Sequence, residues 1–185
     1  GEIHGFHLND RTYVTIKNTN IRGFDYGIWL SRSSHNEIVG NNITDNYNGI
    51  YMTLFSGQNT IKLNNITNND NFGISIAGDS FGNIIYHNNF INNAYQQANS
   101  QLTNTWDNGV EGNYWSDYTG VDSDENGIGD TPYMIETGNQ DRYPLMATIP
   151  EFSSTTILML AVIFITIAVI IAKRNLLKLE KLLWL

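Results

Sequence analysis

The chain repeats a short pattern of apolar and polar positions from its first residues to about residue 93. Each unit opens on a Gly-apolar-x-apolar step, at Gly5, Gly27, Gly49 and Gly73. Later in the unit an Asn precedes an apolar run, and five residues after that Asn comes an Asn-Asn-apolar step. Successive glycines lie 22, 22 and 24 residues apart. A fixed period of this size predicts a solenoid, here of four turns.

The type of solenoid follows from the composition of the runs. They are short, they favour Ile, Phe and Tyr, and clusters of Asn, Gly, Asp and Ser separate them, which is typical of strands joined by turns. No stretch of the repeat has helical spacing, and Leu is too scarce for a leucine-rich repeat. We therefore predict an all-β solenoid: a right-handed parallel β-helix with three short strands per turn.

Equivalent positions of successive turns are expected to stack into inward ladders, each apolar side chain contributing about 1.5–3 kcal/mol on burial. The ladders are Ile21, Ile43, Ile66 and Phe90; Ile16, Ile38, Ile61 and Ile85; and Phe6, Ile28, Ile50 and Ile74 with Leu8, Leu30, Met52 and Ile76. The column Asn36, Asn59 and Asn83 is expected to stack through its side-chain amides.

The sequence repeat ends after Asn93. Residues 94–104 are polar and predict an exit loop or short helix, and an aromatic, Gly-rich region follows, with Trp106, Tyr114 and Trp115. Two interpretations of these rings are open. They form a platform on which a glycan stacks, or they cover the open end of the solenoid, where the last ladder would otherwise meet water. We favour the cover.

The next segment has the spacing of a Ca²⁺ loop. Oxygen-bearing residues alternate around a Gly that permits a sharp turn, an arrangement that suits a hard cation. The ligands would be Asp122, Asp124, Asn126, the backbone of Ile128, and Asp130. The place of the usual bidentate Glu holds Tyr133, so a further carboxylate, from Glu136 or Asp141, would be needed. The alternative is a polar turn without metal.

The charge and the cysteine content of the chain exclude some classes of function. The chain has 185 residues, a net charge of −8 and no Cys, which excludes disulfides and thiolate metal sites. Residues 1–150 carry 6 Lys or Arg against 16 Asp or Glu, and none of the basic residues lies between Lys62 and Arg142. Nucleic-acid binding requires a basic face, so a nucleic-acid partner is not expected.

A hydrophobic segment predicts a membrane anchor. Residues 152–172 are 21 residues without a charge, enough for a helix to span about 30 Å of bilayer. Basic residues follow, so the tail is expected in the cytoplasm and the β-helix outside the cell, with the lipid bilayer as partner. The predicted organisation is β-helix turns over 1–93, a cap over 94–149, linker and transmembrane helix over 150–172, and a basic tail over 173–185. The repeat starts almost at once, without a signal peptide, which we interpret as the C-terminal part of a longer protein.

Two sequons occupy the same place in consecutive turns, at Asn42 and Asn65. Alternation along a strand points both side chains outward when Ile43 and Ile66 point inward, so a glycan could attach to either. The alternative is that Asn-x-Thr recurs because the repeat recurs.

Several motifs resemble one family. The repeat, Asn104–Asn108, Gly112–Tyr118, Asp122–Asp130, Thr131-Pro132-Tyr133 and Tyr143-Pro144-Leu145 are together similar to the NosD-like right-handed β-helix proteins. The resemblance covers about residues 5–147. It implies a periplasmic copper-binding protein that serves the maturation of a copper enzyme, in a group that also includes carbohydrate-binding and sugar-hydrolase β-helices.

The residues themselves give copper little support. Copper favours clusters of His, Met or Cys. The histidines are His4, His7, His35 and His87, and no pair holds equivalent places in adjacent turns. His7 is expected outside, stacked under Trp29. A spacing of three brings His4 and His7 together on a helix and not on a regular strand, so we assign no copper ligands; Ca²⁺ is the cofactor the sequence favours.

These observations leave three functions open. The first is a membrane-anchored extracellular module that binds glycans or cell-envelope partners. The second is a polysaccharide lyase or hydrolase whose catalytic turns lie upstream, since Asp25, Asp45, Asp70 and Asp79 show no constructed acid–base pair. The third, from the resemblance alone, is an accessory protein for copper-site maturation. Enzymatic activity is thus not indicated by the residues present.

Overall fold

The computed structural model describes residues 1–136 and 138–150, which contain short strands and no helix. The strands in chain order are β1 (His4–Asn9), β2 (Thr15–Lys17), β3 (Asn20–Ile21), β4 (Tyr26–Ser31), β5 (Glu37–Val39), β6 (Asn42–Thr44), β7 (Asn48–Thr53), β8 (Thr60–Lys62), β9 (Asn65–Thr67), β10 (Phe72–Ile76), β11 (Ile84–Tyr86), β12 (Asn89–Ile91), β13 (Gln96–Ser100), β14 (Tyr114–Trp115), β15 (Tyr133–Glu136) and β16 (Asn139–Asp141).

Three parallel sheets wind into an all-β solenoid of the right-handed type with about five turns. The first sheet has the order β1-β4-β7-β10-β13, the second β11-β8-β5-β2, and the third β14-β12-β9-β6-β3. The prediction of a parallel β-helix is confirmed, but the turn count was one too low. Residues 96–100 are neither loop nor helix: β13 extends the first sheet by pairing with β10.

The predicted ladders are confirmed residue by residue. Ile21 pairs in register with Ile43, Ile43 with Ile66, and Ile66 with Phe90. Ile16, Ile38, Ile61 and Ile85 align in the same way in the second sheet. All of these side chains are buried, as are those of the first sheet except Phe6, which is 37% exposed in the outermost strand.

Buried asparagines form three columns beside the ladders. The first is Asn36, Asn59, Asn83 and Asn104; the second is Asn41, Asn64, Asn88 and Asn113; the third is Asn46, Asn69 and Asn93. Only part of the first column was predicted. In each column an Asn side chain accepts hydrogen bonds from the backbone and side-chain N–H of the Asn one turn earlier. It also donates to a backbone carbonyl of that earlier turn, so the polar groups at the corners are satisfied without water.

Each column needs a terminal acceptor for its last Asn, and the antiparallel hairpin of β15 and β16 supplies two of them. Asn139 accepts from the backbone N–H of Asn104 at 3.0 Å. Asp141 accepts from the backbone N–H of Asn113 at 2.6 Å. The third column ends on Gln97, which accepts from the side chain of Asn93 at 2.7 Å. The hairpin thus takes the place that a further turn would occupy.

Aromatic rings close the same end of the core, as the cover interpretation predicts. Phe90 stacks on Trp115 with ring centroids 4.5 Å apart, and Trp115 stacks on Tyr133 at 4.2 Å. Trp106 lies beside Trp115 and is fully buried. The third-sheet ladder therefore continues into the cap as a stack of three rings.

Gly1–Ile149 forms one compact unit. In its described residues there is no helix long and apolar enough to cross a membrane. The predicted transmembrane segment, residues 152–172, and the basic tail, residues 173–185, lie outside the described residues.

Candidate functional site

The outer face of the first sheet brings together side chains that regular strand alternation would separate. In β4, Gly27 and Ile28 both point inward: a Cβ on Gly27 would lie 2.6 Å from the carbonyl oxygen of Gly49, and Ile28 is fully buried. Two successive inward residues leave Tyr26 and Trp29 on the same outer side, with ring centroids 5.5 Å apart. The Gly-apolar step that opens each unit therefore places residues i and i+3 side by side outside.

The same bend operates in β1, where it joins two histidines. His4 is in register with Tyr26, and His7 with Trp29. The imidazole centroids of His4 and His7 are 5.2 Å apart, although no helix is present. The expectation that only a helix would bring these two residues together was therefore wrong. The signal that could have revealed the pair is the Gly-apolar step itself, because Gly5 stands between the histidines as Gly27 stands between the rings of the next turn.

Aromatic rings surround the histidine pair. The ring of His7 lies flat on Trp29, with centroids 4.3 Å apart and an interplanar angle of 6°. His4 contacts Trp29 at 4.9 Å and Tyr26 at 5.6 Å. Tyr26 in turn stacks on Tyr51 of the third turn at 5.1 Å. We call His4, His7, Tyr26, Trp29 and Tyr51 the His–aromatic face.

The electrostatic environment favours the neutral form of the His7 imidazole. Burial, the neighbouring His4 and the Arg32 guanidinium together lower the pKa of His7. Arg32 is held close by the carboxylate of Asp10 at 2.8 Å and by Asn9 at 2.6 Å. A neutral imidazole keeps a lone pair available for a metal ion.

Two polar atoms of this face have no hydrogen-bond partner. His4 Nδ1 and Trp29 Nε1 are both buried at the atomic level, and they are the buried side-chain nitrogens and oxygens without a partner in the described part of the chain. Buried polar atoms are nearly always paired, so an exception calls for an explanation such as a bound group. The two atoms belong to adjacent rings, which makes this face the strongest candidate site.

The other two histidines, His35 and His87, lie outside the His–aromatic face. His35 is exposed, contacts Tyr13 with centroids 5.3 Å apart and lies 3.2 Å from the hydroxyl of Ser34. His87 pairs with Glu111 at 2.7 Å and so connects the fourth turn to the loop before the cap. Neither has a second imidazole among its ring contacts.

The predicted Ca²⁺ loop brings three of its carboxylates together. One oxygen each of Asp122, Asp124 and Asp130 lies within 4.8 Å of the others. The Asn126 side chain bonds within the loop instead, accepting from the backbone N–H of Ile128 at 2.8 Å and donating to Asp124 at 3.0 Å. Ile128 itself forms a bridge with Leu145.

The two proposed extra ligands are occupied by other contacts. Glu136 accepts from the Asn99 side chain at 2.5 Å. Asp141 is buried and accepts from the indole N–H of Trp115 at 2.8 Å, so it serves the cap rather than the loop. The suggestion that either residue completes a metal site is thus corrected, and the carboxylates that the structure brings together are those of Asp122, Asp124 and Asp130.

Adding Ca²⁺ is expected to raise the melting temperature of the full chain, because three carboxylates held within 4.8 Å of one another repel each other without a cation. Thermal unfolding followed with and without millimolar Ca²⁺ measures the shift. Asp124→Ala should abolish it, and Asp79→Ala, at an exposed position in another turn, should not. An unchanged melting temperature, or the same shift in Asp124→Ala, would count against the loop as a metal site.

The glycan-stacking prediction for Trp106, Tyr114 and Trp115 is corrected for both tryptophans. Trp106 is 0% and Trp115 1% exposed, so their faces are taken up by the core and by Tyr133. Tyr114 is half-buried in β14. The cluster of aromatic residues in the sequence therefore indicates the closed end of the solenoid.

The two sequon asparagines lie on the outer side of the third sheet, as alternation predicts. Asn42 and Asn65 are in register and partly exposed, with the Asn65 amide 3.4 Å from the oxygen of Asn42. Glycosylation of either residue stays a prediction.

Comparison with known proteins agrees with the fold. The family model described as periplasmic copper-binding protein (NosD) matches residues 2–120. The chain is 30% identical over 144 residues to the probable ABC transporter binding protein NosD of Stutzerimonas stutzeri, a match that covers 68% of this chain and 32% of that protein. It is 29% identical over 147 residues to the protein of the same description from Pseudomonas aeruginosa, a match that covers 71% of this chain and 29% of that protein. The chain thus spans about a third of the length of these curated relatives.

Proposed function

Since this chain belongs to the NosD family of periplasmic copper-binding proteins, we propose that it is an extracytoplasmic accessory module that holds a copper ion at His4 and His7. The observation that carries the proposal is the contact between the two imidazoles, 5.2 Å between centroids, with His4 Nδ1 buried and unpartnered. Sequence alone favoured Ca²⁺ and assigned no copper ligands. The contact between the two imidazoles supports copper instead, because imidazole nitrogen is a ligand that suits copper.

The nitrogen donors of His4 and His7 suit copper better than the other candidate metal site of this chain, the Asp122 loop. Imidazole nitrogen is a good ligand for copper, whereas the carboxylates of the Asp122 loop suit hard cations. Burial, His4 and Arg32 lower the pKa of His7, which favours the neutral ring that a metal ion requires. When bound, copper would be a cargo for delivery, and the residues of this chain would hold it, exclude water on the side of Trp29 and release it to a partner.

We expect the purified full chain to bind copper with a stoichiometry of one, measured by competition against a chromophoric chelator. His4→Ala and His7→Ala should each weaken binding by more than about tenfold, since even outer-shell partners of metal ligands contribute that much. His35→Ala is the matched control, because His35 is exposed and lies away from the His–aromatic face. Equal affinity in all three variants would remove the site from consideration.

A second candidate function is the binding of glycans or envelope partners on the same face. The observation in its favour is the row of half-buried rings, Tyr26, Trp29 and Tyr51, which suits a sugar chain lying along the solenoid. A glycan-array screen of the full chain, with product analysis, tests it and also tests cleavage. Binding without products supports this module, and products would favour the hydrolase or lyase alternative.

We also propose that residues 152–172 anchor the module, with residues 173–185 in the cytoplasm. The charge asymmetry around the hydrophobic segment supports this orientation. The family's periplasmic description supports a solenoid outside the cytoplasm. Protease added to intact cells should digest residues 1–149 and spare the tail; protection of the solenoid would contradict the orientation.

A further inference from the structure

We propose that Trp29 makes the His–aromatic face selective for Cu(I) over Cu(II), an inference that rests on the copper site proposed above. Nothing in the family description assigns an oxidation state or a role to this ring. Three features of the face support the selectivity: the position of the indole, the small number of ligands, and the partial burial of the rings.

The indole lies against both imidazoles. Its centroid is 4.3 Å from that of His7 and 4.9 Å from that of His4. An aromatic face within about 6 Å attracts a cation through its quadrupole, and Trp does so most strongly. Trp29 is also partly buried, and its Nε1 has no partner, so the ring is not held in place by a hydrogen bond of its own. It therefore contributes a π surface and not a polar ligand.

The ligand count is low. Cu(II) favours four nitrogen or oxygen ligands in a tetragonal arrangement, whereas a soft monovalent ion accepts fewer. In the part of the chain that the structure describes, the group of three or more clustered metal-ligating side chains is the Asp122, Asp124 and Asp130 loop, and no third His or carboxylate joins His4 and His7. The nearby Asp10 carboxylate is taken by Arg32.

Partial burial points the same way. His4 and Trp29 are partly buried, and each has a ring nitrogen that is buried and unpartnered. Removing an ion from water costs more as its charge rises, so a site beside these rings penalises Cu(II) more than Cu(I).

Two titrations of the full chain test the inference. Cu(I) is titrated anaerobically against bathocuproine disulfonate, and Cu(II) against nitrilotriacetate. We expect tighter binding of Cu(I), with Trp29→Leu weakening Cu(I) by about tenfold and Cu(II) by less than about twofold, as the loss of one desolvated cation–π contact predicts. Trp29→Phe keeps an aromatic face, so its Cu(I) affinity should lie between those of Trp29→Leu and the unmodified chain. Tyr13→Leu, at an exposed ring outside the His–aromatic face, should bind Cu(I) as the unmodified chain does.

The outcomes separate this inference from the function on which it rests. If neither ion binds, the proposed function fails. If copper binds through His4 and His7 but Cu(II) binds more tightly, or Trp29→Leu weakens both ions equally, the selectivity is overturned and the copper site stands. If Trp29→Leu and Trp29→Phe melt at the same temperature as the unmodified chain, misfolding is excluded as the cause of a difference in copper affinity.

Discussion

Replacing Asn64 with alanine should lower the free energy of unfolding by about 3–5 kcal/mol, because several buried polar groups lose their partners at once. The Asn64 oxygen accepts from both the backbone and the side-chain N–H of Asn41, at 2.9 and 3.0 Å. Its amide nitrogen donates to the carbonyl oxygens of Ile38 and Lys62 and to the side chain of Asn88, each at 2.9 Å. The measurement is urea unfolding of the full chain followed by circular dichroism.

Two further variants test the reason. Asn64→Asp keeps the shape and the acceptors but sets a carboxylate against carbonyl oxygens, so it should cost about as much as alanine. Asn20→Ala changes an exposed asparagine on the outer side of β3 and should stay within about 0.5 kcal/mol of the unmodified chain. A loss confined to a few tenths of a kcal/mol in Asn64→Ala would mean that the columns fill space without stabilising the solenoid.

Period and residue type were sufficient to predict the core. The β-branched and aromatic residues of the ladders recur at one spacing, and parallel pairing of equivalent strands forces equivalent residues into register, as Ile43 and Ile66 show. Three members of the first Asn column, Asn36, Asn59 and Asn83, were predicted from the same recurrence. The second and third columns were not, although Asn41, Asn64 and Asn88 recur just as regularly. Their role depends on side chains that turn inward at corners, which a count of alternating positions does not reveal.

The sequence analysis missed the candidate site for a different reason. Strict alternation puts His4 and His7 on opposite faces, and only the two successive inward residues, Gly5 and Phe6 by analogy with Gly27 and Ile28, bring them together. The ends of the columns were also unpredictable. Asn139 and Asp141 come from an antiparallel hairpin that has no counterpart in the repeat, so no periodicity points to them.

Asp141→Ala is expected to be comparably destabilising, by about 3–5 kcal/mol, because it leaves three donors unpaired at the end of the core, two of them buried. The carboxylate accepts from the backbone N–H groups of Asn113 and Tyr143, at 2.6 and 3.0 Å, and from the indole N–H of Trp115 at 2.8 Å. Without these bonds the hairpin loses its hold on the second Asn column and on the ring stack. Asp141→Asn should cost less, about 1–3 kcal/mol, because its NH₂ group would face one of the donors.

The pH dependence distinguishes this carboxyl from the others. Burial raises the pKa of Asp141 to about 6, from an ordinary 3.8, even though the surrounding N–H groups favour the charged form. A raised pKa in the folded state means that the folded chain binds more protons between those two values, so this group's contribution to stability is complete below about pH 4 and is lost as pH rises through 6. The difference in melting temperature between the unmodified chain and Asp141→Asn should therefore shrink from pH 4 to pH 7. Because all other carboxyl groups are common to the two proteins, their effects cancel in that difference. A difference that grows with pH would show instead that the N–H donors outweigh burial and hold Asp141 ionised throughout.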